Sequence, residues 1–304
     1  MSQAGDQVNL LVILGPTASG KTRVGAGAAR ALNGEIISAD SRQVFRGMDI
    51  GTGKDLEDLE GVPCHLIDIL EPGEEFSVFD FQRRFREAFE AICGRFRLPI
   101  LVGGTGLYLD AVLRGYQLRK VAENSSLRDE LSSWDTARLR KRLCRSRPDP
   151  HNTTDLLDRD RLLRAIEIAE ADEVHGTSAS EMPALHPITF GLRCDRNRLR
   201  RRITVRLKAR LAGGMIEEVE RLHAAGVGWE KLEYYGLEYR FVAQYLQGEL
   251  SYNDMFQKLN SAIHQFAKRQ ETWFRRMERN GVPIHWLEGE GEPLPDLLKR
   301  FSGN

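Results

Sequence analysis

Apolar and polar positions along the first third of the chain alternate between two rhythms. Asn9-Leu10-Leu11-Val12-Ile13-Leu14 is an unbroken apolar run of strand length. Arg23 through Leu32 then reads as a helix, and Glu35-Ile36-Ile37-Ser38-Ala39-Asp40 as a short strand ending in polar residues. His65–Leu70 is a third strand candidate. Phe79 through Arg95 spaces Phe81, Phe85, Ala88, Phe89 and Ile92 on one helical face. Leu98–Gly106 reads as a strand running into a glycine turn. Strands separated by helical stretches predict a parallel α/β sheet, whose ligands sit at the carboxyl ends of the strands.

Beyond Gly115 the rhythm changes. No convincing strand occurs until Ile188–Leu192, which predicts a return to the sheet. The intervening residues read as short charged helices, broken at Ser146–Pro150 and at Gly176–Pro187. From Arg198 to about His223 one long helix is predicted, with Leu199, Ile203, Leu207 and Leu211 four residues apart. The chain stays mostly helical to residue 279, and Ile284–Leu287 reads as a last short strand. The expected organisation is therefore an α/β core, a parallel sheet flanked by helices, made by residues 1–115 and 195–304, and the pattern G-x-x-x-x-G-K-[ST] at Gly15–Thr22 after its first strand makes it P-loop NTPase-like. Residues 116–194 are expected to form a small all-helical insertion.

Gly15-Pro16-Thr17-Ala18-Ser19-Gly20-Lys21-Thr22 fits G-x-x-x-x-G-K-[ST] without mismatch, between a predicted strand and a predicted helix. Such a loop turns backbone N–H groups and a helix N-terminus toward phosphate oxygens. Lys21 adds a point charge, and Thr22 offers a hydroxyl to a phosphate-bound Mg²⁺. The pattern implies a phosphorylated ligand without specifying a nucleoside triphosphate.

Charge adds a second clue. The net charge is zero, yet residues 193–210 hold nine Lys/Arg and one acid, and residues 137–148 hold six basic residues and no acid. Local basic patches of this kind can bind polyanions whatever the total. The four cysteines have no metal-ligand spacing, which argues against a zinc site and suits a reducing compartment. Met1–Gln7 lacks a basic segment followed by an apolar one, and no run of about 18 apolar residues occurs. A cytoplasmic protein with no membrane segment, and a monomer, is expected.

Four further stretches carry candidate chemistry, each with a plain alternative. Asp40-Ser41-Arg42-Gln43 follows the second strand. It is an ordinary helix cap, a base facing the phosphate loop, or a carboxylate holding Mg²⁺ through water, with Arg42 and Gln43 suited to a planar partner. Gly103–Tyr108 is either a tight turn or a place where a ligand approaches the backbone. Arg202 and Arg206 share a helical face, which is either solvated or a cationic arm toward the phosphates. Ala267–Arg276 interleaves basic and aromatic residues, either as core with a polar flank or as an RNA contact.

Together these stretches resemble the tRNA dimethylallyltransferases (tRNA isopentenyltransferases). The likeness rests on Gly15–Thr22, Asp40–Val44, Gly47–Thr52, His65–Asp68, Phe76–Phe81, Gly103–Tyr108, Arg202-Ile203 with Arg206, and Ala267–Arg275, in order across nearly the whole chain. The resemblance implies transfer of a dimethylallyl group from dimethylallyl diphosphate to N6 of the adenosine just 3′ of the anticodon, in tRNAs reading codons that begin with U. It implies that Gly15–Thr22 grips the diphosphate, with Mg²⁺ at Thr22 and Arg202 as a further cation. Asp40 would accept the N6 proton, and Thr105 would lie near the reacting centre. Ser41, Arg42, Gln43, Lys268 and Arg269 would contact tRNA with Asp40 and Thr105. In the insertion, Arg128 and Arg161-Leu162-Leu163-Arg164 match family positions that touch the anticodon stem-loop.

The chain departs from the family pattern at Phe45 (usually Tyr), Gly53-Lys54-Asp55 (Ala-Lys-Pro), Cys64 (His), Tyr235–Tyr239 (a Gly-Tyr-Lys/Arg pattern) and Glu123–Ser126 (prolines). None of these positions is assigned to the chemistry. Three competing readings stay open: prenyl transfer to free adenine nucleotides, a P-loop small-molecule kinase, and an RNA-binding protein whose loop only senses phosphate.

Overall fold

A computed structural model describes residues 8–118, 121–146, 159–175, 182–289 and 291–303. The readings on Met1–Gln7, on 147–150 and on 176–181 lie outside the described residues.

Among the described residues the sheet is parallel throughout, with six strands, β1 (Leu10–Leu14), β2 (Gly34–Ala39), β3 (Cys64–His65), β4 (Leu98–Gly103), β5 (Pro187–Arg193) and β6 (His285–Glu288), in the order β3-β2-β4-β1-β5-β6. In chain order, β1 (Leu10–Leu14) leads through the glycine loop into α1 (Lys21–Ala31), then β2 (Gly34–Ala39), β3 (Cys64–His65), α2 (Val78–Gly94), β4 (Leu98–Gly103) and α3 (Gly106–Leu113). The apolar run at β1 is explained by burial on both faces, as expected for a parallel sheet between helices. Leu10, Val12 and Leu14 pack with Phe81, Phe85 and Leu109. Leu11 and Ile13 pack on the other side with Val24, Ala28 and Leu297. The helix predicted from the Phe81–Ile92 stripe begins one residue earlier than read, because Ser77 and Asp80 form a reciprocal capping box.

The strand predicted over His65–Leu70 is only two residues long. Leu66 and Asp68 take positive φ, 64° and 55°, and turn the chain out of the sheet. The turn delivers the Asp68 carboxylate to the buried Lys54 ammonium, 2.5 Å away.

The core continues with β5 (Pro187–Arg193), α7 (Arg196–Ala212), α8 (Met215–Ala224), α9 (Trp229–Tyr234), α10 (Leu237–Leu246), α11 (Tyr252–Arg279), β6 (His285–Glu288) and α12 (Pro293–Phe301), the preceding α4–α6 belonging to the insertion. The long helix predicted to His223 is two helices. Gly214 sits at φ 97° and starts the second one. The stripe Leu199, Ile203, Leu207 and Leu211 is buried as predicted, against Val44, Phe45 and the α8–α11 layer.

The chain divides into two compact units, residues 1–115 with 182–304, and residues 116–181. The insertion thus ends before the predicted residue 194, because Pro187–Arg193 is paired to β1 and is core. Within the insertion, α4 (Ser125–Leu131), α5 (Thr136–Ser146) and α6 (Arg159–His175) bury Leu127, Leu131, Leu139, Leu143, Leu162, Leu163 and Ile166 together. Among the described residues no helix is long and apolar enough to cross a membrane.

Candidate active site

Three strand ends meet at one edge of the core sheet. β1 runs into Gly15–Thr22, β2 into Asp40, and β4 into Gly104 and Thr105. The loop is closed by Ser19 donating its N–H to the Pro16 carbonyl at 3.2 Å, and Lys21 begins α1. The Ser19 hydroxyl is buried in the loop with no hydrogen-bond partner among the described residues. A buried hydroxyl in that state is costly unless a ligand meets it. Lys21 points back along the loop, 3.5 Å from the Pro16 carbonyl. Burial lowers its pKa to about 8. Asp40 opposes the shift and the Arg206 charge adds to it.

Asp40 accepts backbone N–H bonds from Arg42 at 2.8 Å and from Gln43 at 3.4 Å through one oxygen, Oδ1. Among the described residues no helix follows β2 before Leu56, so the helix-cap reading is corrected: Asp40 Oδ1 closes a turn, and Oδ2 takes no part in that turn. Thr105 ties the next strand to the same turn. Its N–H donates to the Ala39 carbonyl at 3.2 Å, and its hydroxyl oxygen accepts the Ser41 N–H at 3.3 Å. Arg42 lies over the exposed Tyr234 ring, 5.0 Å from its centroid. Gln43 is otherwise employed. Its amide accepts from the Ser38 hydroxyl at 2.9 Å and donates to the Gly53 carbonyl at 3.1 Å, so it shapes the turn rather than presenting a free edge.

Arg202 reaches the phosphate loop from α7. A side-chain carbon on Gly20 would lie 3.2 Å from its guanidinium nitrogen. One turn further, Arg206 donates to the Gly53 carbonyl at 3.4 Å and pairs with Asp55. Another turn on, Arg210 pairs with Glu238 at 3.4 Å. Two of the departures from the family pattern, Gly53–Asp55 and Glu238, thus adjoin the cationic face of the site, which the sequence reading had kept apart from the chemistry.

Sequence reasoning missed Gln270. Its side-chain oxygen accepts the Thr17 N–H at 2.8 Å, and its nitrogen donates to the Gly104 carbonyl at 2.9 Å. One buried amide therefore joins the phosphate loop to the β4 turn, and a side chain on Gly104 would collide with it. The signal was present in the pattern. Ile263, Ala267, Gln270, Phe274 and Met277 form the buried stripe of α11, and Gln270 is its one polar member among them. Lys268 and Arg269 project from the opposite, exposed side of α11, where Arg269 lies over the Phe266 ring.

Within the insertion the reading of Leu162 and Leu163 as RNA contacts is corrected. Leu162 and Leu163 are 0% and 8% exposed, because they fill the three-helix core, and neither is available to RNA there. Arg128 and Arg164 both grip the buried Glu167, at 2.7 and 2.8 Å. Arg164 also donates to the Val121 carbonyl at 2.6 Å. Burial pushes the Glu167 carboxyl up, but the two guanidiniums and the Asn124 N–H outweigh it and hold it below its ordinary value. Arg161 is exposed on α6.

The geometry agrees with comparison to known proteins. Residues 43–277 match the model of the IPP transferase family. The chain belongs to that family. It is 66% identical to tRNA dimethylallyltransferase 2 of Syntrophotalea carbinolica, over 96% of this chain and 98% of that one. It is 62% identical to tRNA dimethylallyltransferase 1 of Geotalea uraniireducens, over 95% of each. Among solved structures, the tRNA isopentenylpyrophosphate transferase of Bacillus halodurans is similar with TM-score 0.72 and 32% identity, over 98% of this chain and 96% of that one. A eukaryotic dimethylallyltransferase acting on tRNA shares the fold with TM-score 0.73 at 22% identity, over 96% of this chain and 78% of that one.

Proposed function

We propose that this member of the IPP transferase family transfers a dimethylallyl group from dimethylallyl diphosphate to N6 of the adenosine just 3′ of the anticodon, in tRNAs reading codons that begin with U. The carrying observation is the convergence of the Gly15–Thr22 loop, Arg202, Asp40 and Thr105 at one edge of the core sheet. The relatives' names support the substrate class.

The loop N–H groups, the Ser19 hydroxyl and Lys21 bind the diphosphate of the donor. Charge grows on that diphosphate as the allylic C–O bond breaks, so Lys21 and Arg202 favour the transition state over the ground state. The acceptor adenosine must leave its stack to enter the cleft. Thr105 and the Asp40–Arg42 turn orient its edge, and the Asp40 Oδ2 takes the N6 proton as the amine attacks. Arg42 on Tyr234 offers a flat cationic surface for a neighbouring base.

The donor set fits a Mg²⁺ that arrives with the diphosphate. Among the described residues no three His, Cys, Asp or Glu side chains cluster as a protein cage. Mg²⁺ typically keeps few protein ligands and takes the rest from phosphate and water. Thr22 would hold it, and the ion would supply positive charge to the leaving oxygens.

One assay tests the reading. The protein is incubated with radiolabelled dimethylallyl diphosphate, Mg²⁺ and unmodified tRNA, with AMP in parallel and ATP plus small acceptors as a kinase control. Label is expected in tRNA alone. Label in AMP would move the acceptor to free nucleotides, and no prenyl transfer to any acceptor would sink the proposal.

A further inference from the structure

The α7 helix carries Arg202, Arg206 and Arg210 at four-residue intervals, a row of about 12 Å along one face. Arg202 lies beside the phosphate loop at Gly20. Arg210 has less protein company than a buried guanidinium needs. Among the described residues its five N–H donors have one carboxylate acceptor, Glu238, at 3.4 Å, a long bond for an ion pair. The two side chains are 14% and 20% exposed. Burial lowers the Arg210 pKa and raises that of Glu238, so each ion is poorly compensated by the other.

The opposite wall is built to admit this head group. Gly53 sits at φ 63°, and any side chain there would collide with Arg210 and come within 2.8 Å of Arg206. Both arginine charges are felt at Lys21, together with those of Asp40 and Asp55. The charged groups facing the row are therefore Lys21 from α1, Asp40 and Asp55 from the loops after β2, and Glu238 from α10.

We propose that Arg210, with Arg206 beside it, is a second diphosphate-binding arm, and that Glu238 is a carboxylate placeholder that releases Arg210 when the donor enters. A diphosphate is the ligand class that fits, because four cations (Lys21, Arg202, Arg206, Arg210) gather at one cleft, more positive charge than the two acids Asp40 and Asp55 beside them offset. The bidentate fork of Arg210 then exchanges one long carboxylate contact for phosphate oxygens. The proposal rests on the donor site described above.

A plain structural ion pair makes different predictions from a placeholder pair. The probe is inorganic diphosphate with Mg²⁺, followed by calorimetry. Kinetics with dimethylallyl diphosphate at saturating tRNA run alongside. Arg210→Met alone is expected to lose stability, since it strands Glu238. Arg210→Met with Glu238→Gln is expected to keep the wild-type Tm within a few degrees, to bind diphosphate about tenfold more weakly and to raise the donor KM about tenfold. Its KM for tRNA should stay within about twofold of wild type on the same reasoning. Glu238→Gln alone should tighten diphosphate binding, because it removes the competing carboxylate. Diphosphate affinity and donor KM at wild-type level in the double variant, or weaker binding by Glu238→Gln, would overturn the proposal. Lys21→Ala separates the two levels. If it abolishes diphosphate binding while the double variant binds normally, the second arm falls and the donor site stands. If wild type and Lys21→Ala bind diphosphate equally, the donor site itself falls, and the second arm with it.

Discussion

Arg128 and Arg164 in the insertion, and Arg206 and Arg210 in the core, are all held by carboxylates, yet the two regions use them differently. In the insertion two guanidiniums converge on one buried carboxylate, Glu167, which also accepts the Asn124 N–H. The carboxylate is over-supplied with donors, and the arginines serve to keep it buried. In the core each arginine has its own acid at the cleft, and Asp55 and Glu238 are 36% and 20% exposed against 1% for Glu167. A cation is available to a ligand when its protein acceptors are few and near solvent. It is structural when it is needed to neutralise a buried charge. Two basic patches that look alike as composition thus differ in what their charge is for.

The comparison can be broken most directly at the chemistry. Asp40→Asn keeps a turn acceptor for Arg42 and Gln43 but has no basic carboxylate. It should lower kcat by about 10²–10⁴ with tRNA affinity nearly unchanged. Wild-type turnover in that variant would remove Asp40 as the base. Next in size, Glu167→Ala releases Arg128 and Arg164, which are 34% and 37% exposed, and should cost the insertion about 1.5–3 kcal/mol for each charged hydrogen bond lost. Limited proteolysis should then cut the insertion first, while inorganic diphosphate still binds the core. Equal protection of both units would show that Glu167 is not the linchpin argued for it.

Gln270→Leu leaves the Thr17 N–H and the Gly104 carbonyl buried without partners, about 1–3 kcal/mol for each. The donor KM should rise with tRNA affinity little changed, and a variant with normal donor KM and Tm would contradict the role. A smaller effect is expected from pH. Lys21 has its pKa lowered to about 8, so it is cationic below that value and neutral above it. Donor kcat/KM should fall as pH rises through about 8, up to tenfold per unit, and Lys21→Arg should move that limb upward. A flat profile in the wild type would argue against Lys21 as the charge that captures donor. Smallest of all, Lys268→Ala and Arg269→Ala should each weaken tRNA a few-fold and reduce the salt slope by about one. Arg164→Ala should instead lower the insertion's stability and leave that slope unchanged.

Much of this was legible from residue patterns. The β1 run, the α2 aromatic face, the α7 leucine stripe and the Gly15–Thr22 loop are local signals, and each lies where it was predicted. The misses have physical causes. The strand at His65 stops early because Leu66 and Asp68 take αL geometry, which their residue types do not announce. The strand at Ile188–Leu192 is legible as a return to the sheet, but the expected insertion runs past it to 194, because only the pairing with β1 shows that the strand belongs to the core. Leu162 and Leu163 were read as RNA contacts on family position, although their apolar side chains have more to gain from the insertion's core.

The sequence by itself determined the phosphate loop and its flanking strand and helix, because that function depends on spacing within eight consecutive residues. It also determined which face of each long helix is buried, because the 3.6-residue period is a local property. Tertiary structure alone decided that Gln270 closes on Thr17, 253 residues away, and which arginines face the cleft with a partner to spare. Hydrogen bonds and ion pairs over such separations follow from the packing of whole elements. No local pattern encodes whether a given charge will find one acceptor or several.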